Sequence, residues 1–373
     1  VYGHKAFMEE SGQADPGQPW VVSGGSPENP NDYWDHVDYI LQSAADRNLI
    51  MAVLPVWGRR YVNATHPPHS EKVFSAATMR SYGEFLGQRY KTFPNIIWVM
   101  GGDVQADAGG SYLDHYRAMA EGIIKGITGQ LVRWNEESPL WDHALMTYHP
   151  DGSPMKNSSR WFHSDTWLDF NMIETHRSRA KVYAAVQQDY VLADPVKPTV
   201  QGEPDYEGAR PNMLTAGVHI RRQALHSYFA GAAGFTYGGK IDQHGNGPLW
   251  SPYNNWKEML DMEGARSMTH IKSFCLEHSW PDWTPIHDLI VSNEGEGELQ
   301  KVAALDRQGG IFLVYFPDNS QAELDLADHI EGAGEIHTQW YNPANGMYGG
   351  KNQTISGKSN MQVIPPDHWQ DAI

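Results

Sequence analysis

A chain of 373 residues, 40% hydrophobic and 12% aromatic, can bury one large core and a second smaller one, which excludes an intrinsically disordered protein. Its formal net charge of −17 repels polyanions, so a nucleic acid or an anionic membrane is not expected as a partner and a neutral one is. The single cysteine, Cys275, rules out an intramolecular disulfide and any cysteine-based zinc site, and no apolar run is long enough to cross a membrane.

The first periodic segment, residues 31–47, sets Val37, Ile40, Leu41 and Ala44 on one helical face. Asn48 is a plausible left-handed stop before the apolar run 49–56, which predicts a buried strand. The unit repeats: a helix over 75–92 with Met79, Tyr82, Phe85 and Leu86 on one face leads through Pro94 into a strand at 96–100. A helix over 113–127, strands at 145–148 and 170–173, a helix over 177–192 and a strand at 199–201 follow. The series closes with a helix over 213–229, a strand at 233–237 and a helix over 256–277. Such alternation predicts an α/β fold, and the expected architecture is a (β/α)8 TIM-type barrel. Six strands fall two short of closure, a deficit on the order of 60 residues at about 30 per βα unit. The expectation is therefore a barrel whose first two strands are encoded upstream, with an open six-stranded sheet as the alternative.

Beyond Trp283 the pattern changes to short β-rich runs at 289–292, 301–305, 310–316, 322–326, 336–341 and 361–364, separated by turns such as Pro317-Asp-Asn. This predicts a small antiparallel β-sandwich. The expected domains are 1–283, catalytic, and 284–373, structural.

Two segments carry the chemistry. Asn95-Ile-Ile-Trp-Val-Met-Gly-Gly-Asp103 and Lys197-Pro-Thr-Val-Gln-Gly-Glu203-Pro-Asp-Tyr-Glu207 each run an apolar strand into a carboxylate, and a barrel holds its site at that end of its strands. Two such acids make the pair that glycosidic hydrolysis needs. Asp103 follows two glycines that permit a sharp turn and a close ligand approach; an N-cap for the next helix is its structural alternative. Glu203 ends a buried strand, and Pro204 pushes it towards extended geometry. Glu207, four residues on, is the rival for the same role or a supporting group.

Other side chains that follow strands are candidates for sugar contact, with ordinary packing as the alternative: Trp57, Tyr61, Tyr148, His149, His176, Tyr237 and Trp250. A neutral imidazole both donates to and accepts from hydroxyls, which favours the two histidines. The pair His66-Pro-Pro-His69 is held extended by proline and has no third ligand nearby, so no metal is expected. Asn63-Ala-Thr, Asn157-Ser-Ser and Asn352-Gln-Thr are acceptor sequons, which matter only in a secreted eukaryotic protein.

These residues together carry a resemblance to the apiosidase-type family of glycoside hydrolases. The matching features are Val1-Tyr-Gly-His with Phe7, Val53-Leu-Pro-Val-Trp57-Gly58, the Asp103 segment, Gly202-Glu203-Pro-Asp-Tyr206-Glu207, and Gly231-Ala-Ala-Gly-Phe-Thr-Tyr237-Gly238. The tail Gln339-Trp340-Tyr-Asn-Pro343-Ala-Asn-Gly346 is similar to that family's C-terminal sandwich. The resemblance implies a retaining mechanism with Asp103 as acid/base and Glu203 as nucleophile, Tyr206 beside them as a substrate contact, and no cofactor. A retaining pair stands about 5 to 5.5 Å apart. The chain departs from the family around Asn171-Met-Ile-Glu174-Thr-His176, where Glu and Thr stand in place of the commoner Gln, Ser and Gly. Glu174 could hydrogen-bond a sugar hydroxyl pair, shift a catalytic acid by repulsion, or pair with Arg177. The expected function is release of a terminal sugar, apiose, from plant cell-wall pectin or apiosides by a secreted or periplasmic monomer. The alternatives are an arabinofuranosidase, an endo-glycanase, or a carbohydrate-binding protein without catalysis.

Overall fold

The computed structural model describes residues 33–67, 70–152, 157–210, 213–239, 256–327, 329, 335–356 and 360–373. Two compact units emerge. One comprises the described residues up to Met172 together with Asp194–Lys197; the other comprises Ile173–Ala193 and the described residues of Pro198–Ile373. The predicted boundary at 283/284 falls inside the second unit.

In the first unit, α1 (Tyr33–Ala45) gives way to Asn48 at φ +55, and the chain enters β1 (Met51–Val53). Helix α2 (Ala76–Tyr90) starts at Ser75, whose Oγ accepts from the Thr78 N–H while Thr78 Oγ1 accepts from the Ser75 N–H. Such a capping box contributes about 1 kcal/mol. Strand β2 (Ile96–Gly101), α3 (Leu113–Thr128) and β3 (Leu145–His149) follow, with Gly129 at φ +78 ending α3. The strands form a parallel sheet in the order β1-β2-β3. Helices α2 and α3 approach so closely that a Cβ on Gly87 would lie 2.2 Å from the Ile123 carbonyl oxygen, and one on Gly122 2.1 Å from that of Arg80. Met79, Tyr82, Tyr116, Met119 and Ile123 fill the space beside this seam.

Strand β4 (Asn171–Glu174) enters the second unit at Ile173, and that unit goes on with α4 (Val182–Tyr190), β5 (Thr199–Glu203), α5 (Gly217–Phe229), β8 (Gly234–Phe235) and α6 (Glu263–Glu277). Its first sheet runs β4-β5-β8. All six strands expected of the α/β region are present, so the mixed α/β class holds.

Two helical expectations need correction. The helix expected over 213–229 begins only at Gly217, because Met213–Thr215 (β7) pairs antiparallel with Gly208–Arg210 (β6). Thr215 is drawn there by a hydrogen bond from its hydroxyl to buried Asp205, a pull that helical periodicity does not reveal. The helix expected over 256–277 is two pieces, Trp256–Met259 and α6, since Met262 is extended. The Glu207 carboxylate accepts from the Gly264 N–H and so starts α6 at that point.

The C-terminal strands are short and antiparallel: β9 (Trp283–Ile286), β10 (Ile290–Ser292), β11 (Val302–Asp306), β12 (Ile311–Tyr315) and β13 (Ala322–Leu324), then β14 (Glu335–His337), β15 (Trp340–Asn342), β16 (Met347–Gly349), β17 (Thr354–Ser356) and β18 (Met361–Val363). They pair as β12-β11-β9, β10-β13-β18, β14-β17 and β15-β16. The single run expected at 336–341 thus divides between β14 and β15, which have different partners. These strands share a unit with α5 for a visible reason. Arg221 of α5 is fully buried and its guanidinium bonds Asp371, itself buried, at 2.9–3.0 Å.

Candidate active site

Each unit carries a carboxylate at the C-terminal end of a strand. In the first, β2 ends on Gly101 (φ +86) and Gly102 (φ +106), and Asp103 itself sits at φ +47. Glycine is required at 101: a Cβ there would lie 2.4 Å from the His149 carbonyl oxygen. The turn is fixed by the Gly102 N–H donating to that carbonyl at 3.1 Å and by the Arg59 N–H donating to Gly102 O at 3.2 Å. Asp103 keeps a side-chain exposure of 23%, with Arg59 Nη1 4.0 Å from Oδ2 and His149 Nδ1 4.0 Å from Oδ1. His149 Nδ1 stands 2.9 Å from the Pro150 carbonyl oxygen and 3.4 Å from the Asp103 N–H. One nitrogen cannot donate to the first and accept from the second, and the shorter contact is the one in which Nδ1–H donates to the Pro150 carbonyl. A carboxyl so flanked and still open to solvent is placed to exchange a proton with a ligand.

The other candidates of this unit differ in placement. Trp57 lies against the loop, its Cε3 3.1 Å from where a Gly102 Cβ would be. Tyr61 is buried and packs in the core. Tyr148 is fully enclosed, and its hydroxyl donates to the Val104 carbonyl at 2.7 Å, so its work is to hold the backbone behind Asp103. Asn63 is likewise buried, its amide donating to Gln105 O and Ala108 O and its Oδ1 accepting from the Tyr116 hydroxyl at 2.6 Å.

In the second unit Glu203 ends β5, half-buried, with the Tyr206 hydroxyl donating to Oε1. Its backbone carbonyl accepts from the N–H groups of Thr175 and His176, both at 3.1 Å. Glu174 is buried at the end of β4, and His176 follows at φ +45. Glu207 has a different post. It is buried, Oε2 accepting from the Tyr237 hydroxyl at 2.7 Å and Oε1 from the Gly264 N–H at 2.8 Å. Both oxygens are thereby committed to structure. Burial first, and Glu207 second, raise the Tyr237 phenol above its ordinary pKa, so it stays a donor. Trp250 and His69 lie outside the described residues, and His66 is exposed.

Sequence reasoning missed Arg59, Arg179 and Asp205. Arg59 had a signal, since it directly follows Trp57-Gly58, just past the apolar run 49–56. Asp205 looks like a solvated loop acid between Pro204 and Tyr206, yet it is fully buried.

The family model for the apiosidase-like catalytic domain matches residues 1–282. Among solved structures, one described as a glycoside hydrolase is 25% identical, with 95% of this chain and 79% of that one covered at a TM-score of 0.74. A glycoside hydrolase family 5 structure from Bacteroides vulgatus ATCC 8482 is also 25% identical, covering 94% of this chain and 75% of its own at a TM-score of 0.71. A further structure from that organism, 11% identical with coverage of 91% and 62% and a TM-score of 0.54, adds likeness of fold alone. No protein of curated function matches the chain.

Proposed function

Since the chain belongs to the apiosidase-like family of glycoside hydrolases, we propose that it releases terminal apiose from plant cell-wall pectin or apiosides with retention of anomeric configuration. In this reading the α/β region is a (β/α)8-type barrel. Glu203 Oε2 attacks the anomeric carbon while Asp103 gives its proton to the departing glycosidic oxygen. The resulting glycosyl ester on Glu203 is then hydrolysed by a water whose proton returns to Asp103. His149 and Arg59 hold Asp103 at the strand end, and Glu174 and His176 offer polar atoms to sugar hydroxyls. The chemistry needs no cofactor.

The observation that carries the reading is the Tyr206 phenol donating to Glu203 Oε1, which orients the carboxylate at the end of β5. Glu207 supports the same choice, since both of its oxygens accept hydrogen bonds from structural partners, the Tyr237 hydroxyl and the Gly264 N–H.

The test is sugar release from apiose-containing pectin fragments and aryl apiosides, comparing wild type with Glu203→Gln and reading the first-formed anomer by NMR. Apiose of retained configuration, released by wild type only, supports the proposal. Arabinose or internal cleavage favours the other glycosidases, and oligosaccharides bound but uncut favour a binding protein.

A further inference from the structure

Asp205 takes no part in the bond-breaking steps above, yet it is fully enclosed two residues from Glu203. A buried anion is unfavourable unless its partners compensate, so those partners define its task. Oδ1 accepts from the Tyr206 backbone N–H at 3.1 Å, Oδ2 accepts from the Thr215 hydroxyl at 2.8 Å, and the Asp205 N–H donates to Gln223 Oε1 at 2.8 Å. These donors and acceptors are neutral. A balancing cation is Arg179, with Nε 4.0 Å from Oδ2.

Arg179 is itself held from the C-terminal region. Its Nε stands 3.4 Å from Glu298 Oε2, on the turn Gly297–Leu299. That turn seats against the one carrying Arg179: Gly297, at φ +58, leaves only 3.0 Å between a would-be Cβ and Ala180 Cβ. His219 of α5 stands among Arg179, Glu298, Arg222 and Asp205, and burial together with Arg179 holds its imidazole below the usual range and hence uncharged at neutral pH. Arg179 is thus a cation paired with Asp205.

We propose that Arg179 is a positioning residue for the nucleophile: anchored by Glu298, it balances Asp205, which fixes the Tyr206 backbone and through its phenol the Glu203 carboxylate. The inference rests on Glu203 being the nucleophile. It makes the C-terminal β-rich region part of the catalytic apparatus rather than an appended module.

The test uses the full chain and the aryl glycoside that wild type cleaves, with Arg179→Met, Arg179→Lys, Glu298→Gln and Glu203→Gln. A loosened nucleophile costs turnover rather than binding, so Arg179→Met should lower kcat at least about tenfold with KM within about twofold. Arg179→Lys should regain most of that loss, and Glu298→Gln should show a smaller fall in kcat at an unchanged melting temperature. Wild-type kcat in a folded Arg179→Met, or no recovery with lysine, overturns the positioning role alone, provided Glu203→Gln is inactive. Should Arg179→Met fail to fold, Glu298→Gln decides, and an unchanged kcat there overturns the proposal. An active Glu203→Gln would instead remove the nucleophile reading on which it rests.

Discussion

Asp371→Asn should destabilise the protein more than any surface substitution, for reasons that can be worked from the contacts. The Arg221 side chain has no exposure, and Asp371 meets it through Nε at 3.0 Å to both carboxylate oxygens and through Nη2 at 2.9 Å. Nη1 binds Glu263 at 2.6 Å, and Nη2 also binds Gln370 at 2.7 Å, but the Glu263 side chain is 48% exposed and screened by water. The Tyr315 hydroxyl donates to Asp371 Oδ2 at 3.1 Å and would lose its charged acceptor as well. The variant removes the one fully buried countercharge that Arg221 has among the described residues and turns an amide donor towards guanidinium donors. Breaking such a pair from one side costs about 3 to 5 kcal/mol. At about 2 to 4 °C per kcal/mol, the melting temperature should fall on the order of 6 to 20 °C. Tryptophan fluorescence during heating measures it, since Trp283 and Trp340 are buried in the same unit. The double variant Arg221→Met/Asp371→Leu should recover at least half the loss, because replacing both partners with apolar groups leaves no buried charge. A single variant melting within about 2 °C of wild type would refute the argument.

Glu207→Gln and Glu203→Gln should part company. The amide at 207 can accept only one of the two hydrogen bonds made there, so about 1 to 3 kcal/mol of stability should go, while the amide at 203 should leave melting unchanged and abolish turnover; equal effects on melting would contradict the assignment. Produced in a glycosylating host, the protein should carry no glycan at Asn63 or Asn157, both buried, whereas exposed Asn352 is open to modification; peptide mass spectrometry finding glycan at Asn63 would show that its buried network does not form. Asp169 should make stability fall as pH rises through about 6. Burial lifts its carboxyl from 3.8 to about 6, outweighing the hydrogen bond from the Met146 N–H and the charge of Lys197. The folded state therefore binds the proton more tightly than the unfolded chain, and the advantage is complete below about 4 and lost above about 6. Asp169→Asn keeps an acceptor for Met146 and should flatten that part of a melting-versus-pH curve; a curve identical to wild type would exclude Asp169 as its source.

What the sequence revealed of the fold follows from which forces are local. Helix α2 was legible because Ser75, Thr78 and the apolar face at 79, 82 and 86 all act within one or two turns. Six parallel-type strands were legible because each is an apolar run entered from a helix and left through small residues or a carboxylate. The start of α5 was not, because Thr215 answers to Asp205 ten residues away, and neither was the break before α6, set by Glu207 from 57 residues away. Glu203 ends β5 and Glu207 lies four residues on, and spacing does not show that Glu207 answers to Tyr237 and Gly264, 30 and 57 residues away. Arg221 and Asp371, 150 residues apart, look like ordinary solvated charges, and with them went the bond that puts the C-terminal strands in one unit with α5. Asp205 and Arg179 were missed for the same reason.

A left-handed backbone falls on two of the candidate site residues. Asp103 and His176 hold φ values of +47 and +45, at a cost of order 1 kcal/mol or more each for residues with a side chain. Each strained residue is held by backbone bonds from a neighbouring strand end or loop: Gly102 to the His149 carbonyl before Asp103, and the His176 N–H to the Glu203 carbonyl. The same device thus recurs in both units. An over-determined backbone turns a polar side chain out at the end of a strand, and in the second unit it couples His176 to the peptide of Glu203 itself. Replacing His176 with glycine would relieve the strain and with alanine would keep it. A stability gain for glycine over alanine, with activity lost in both, is the outcome that this economy of strain requires.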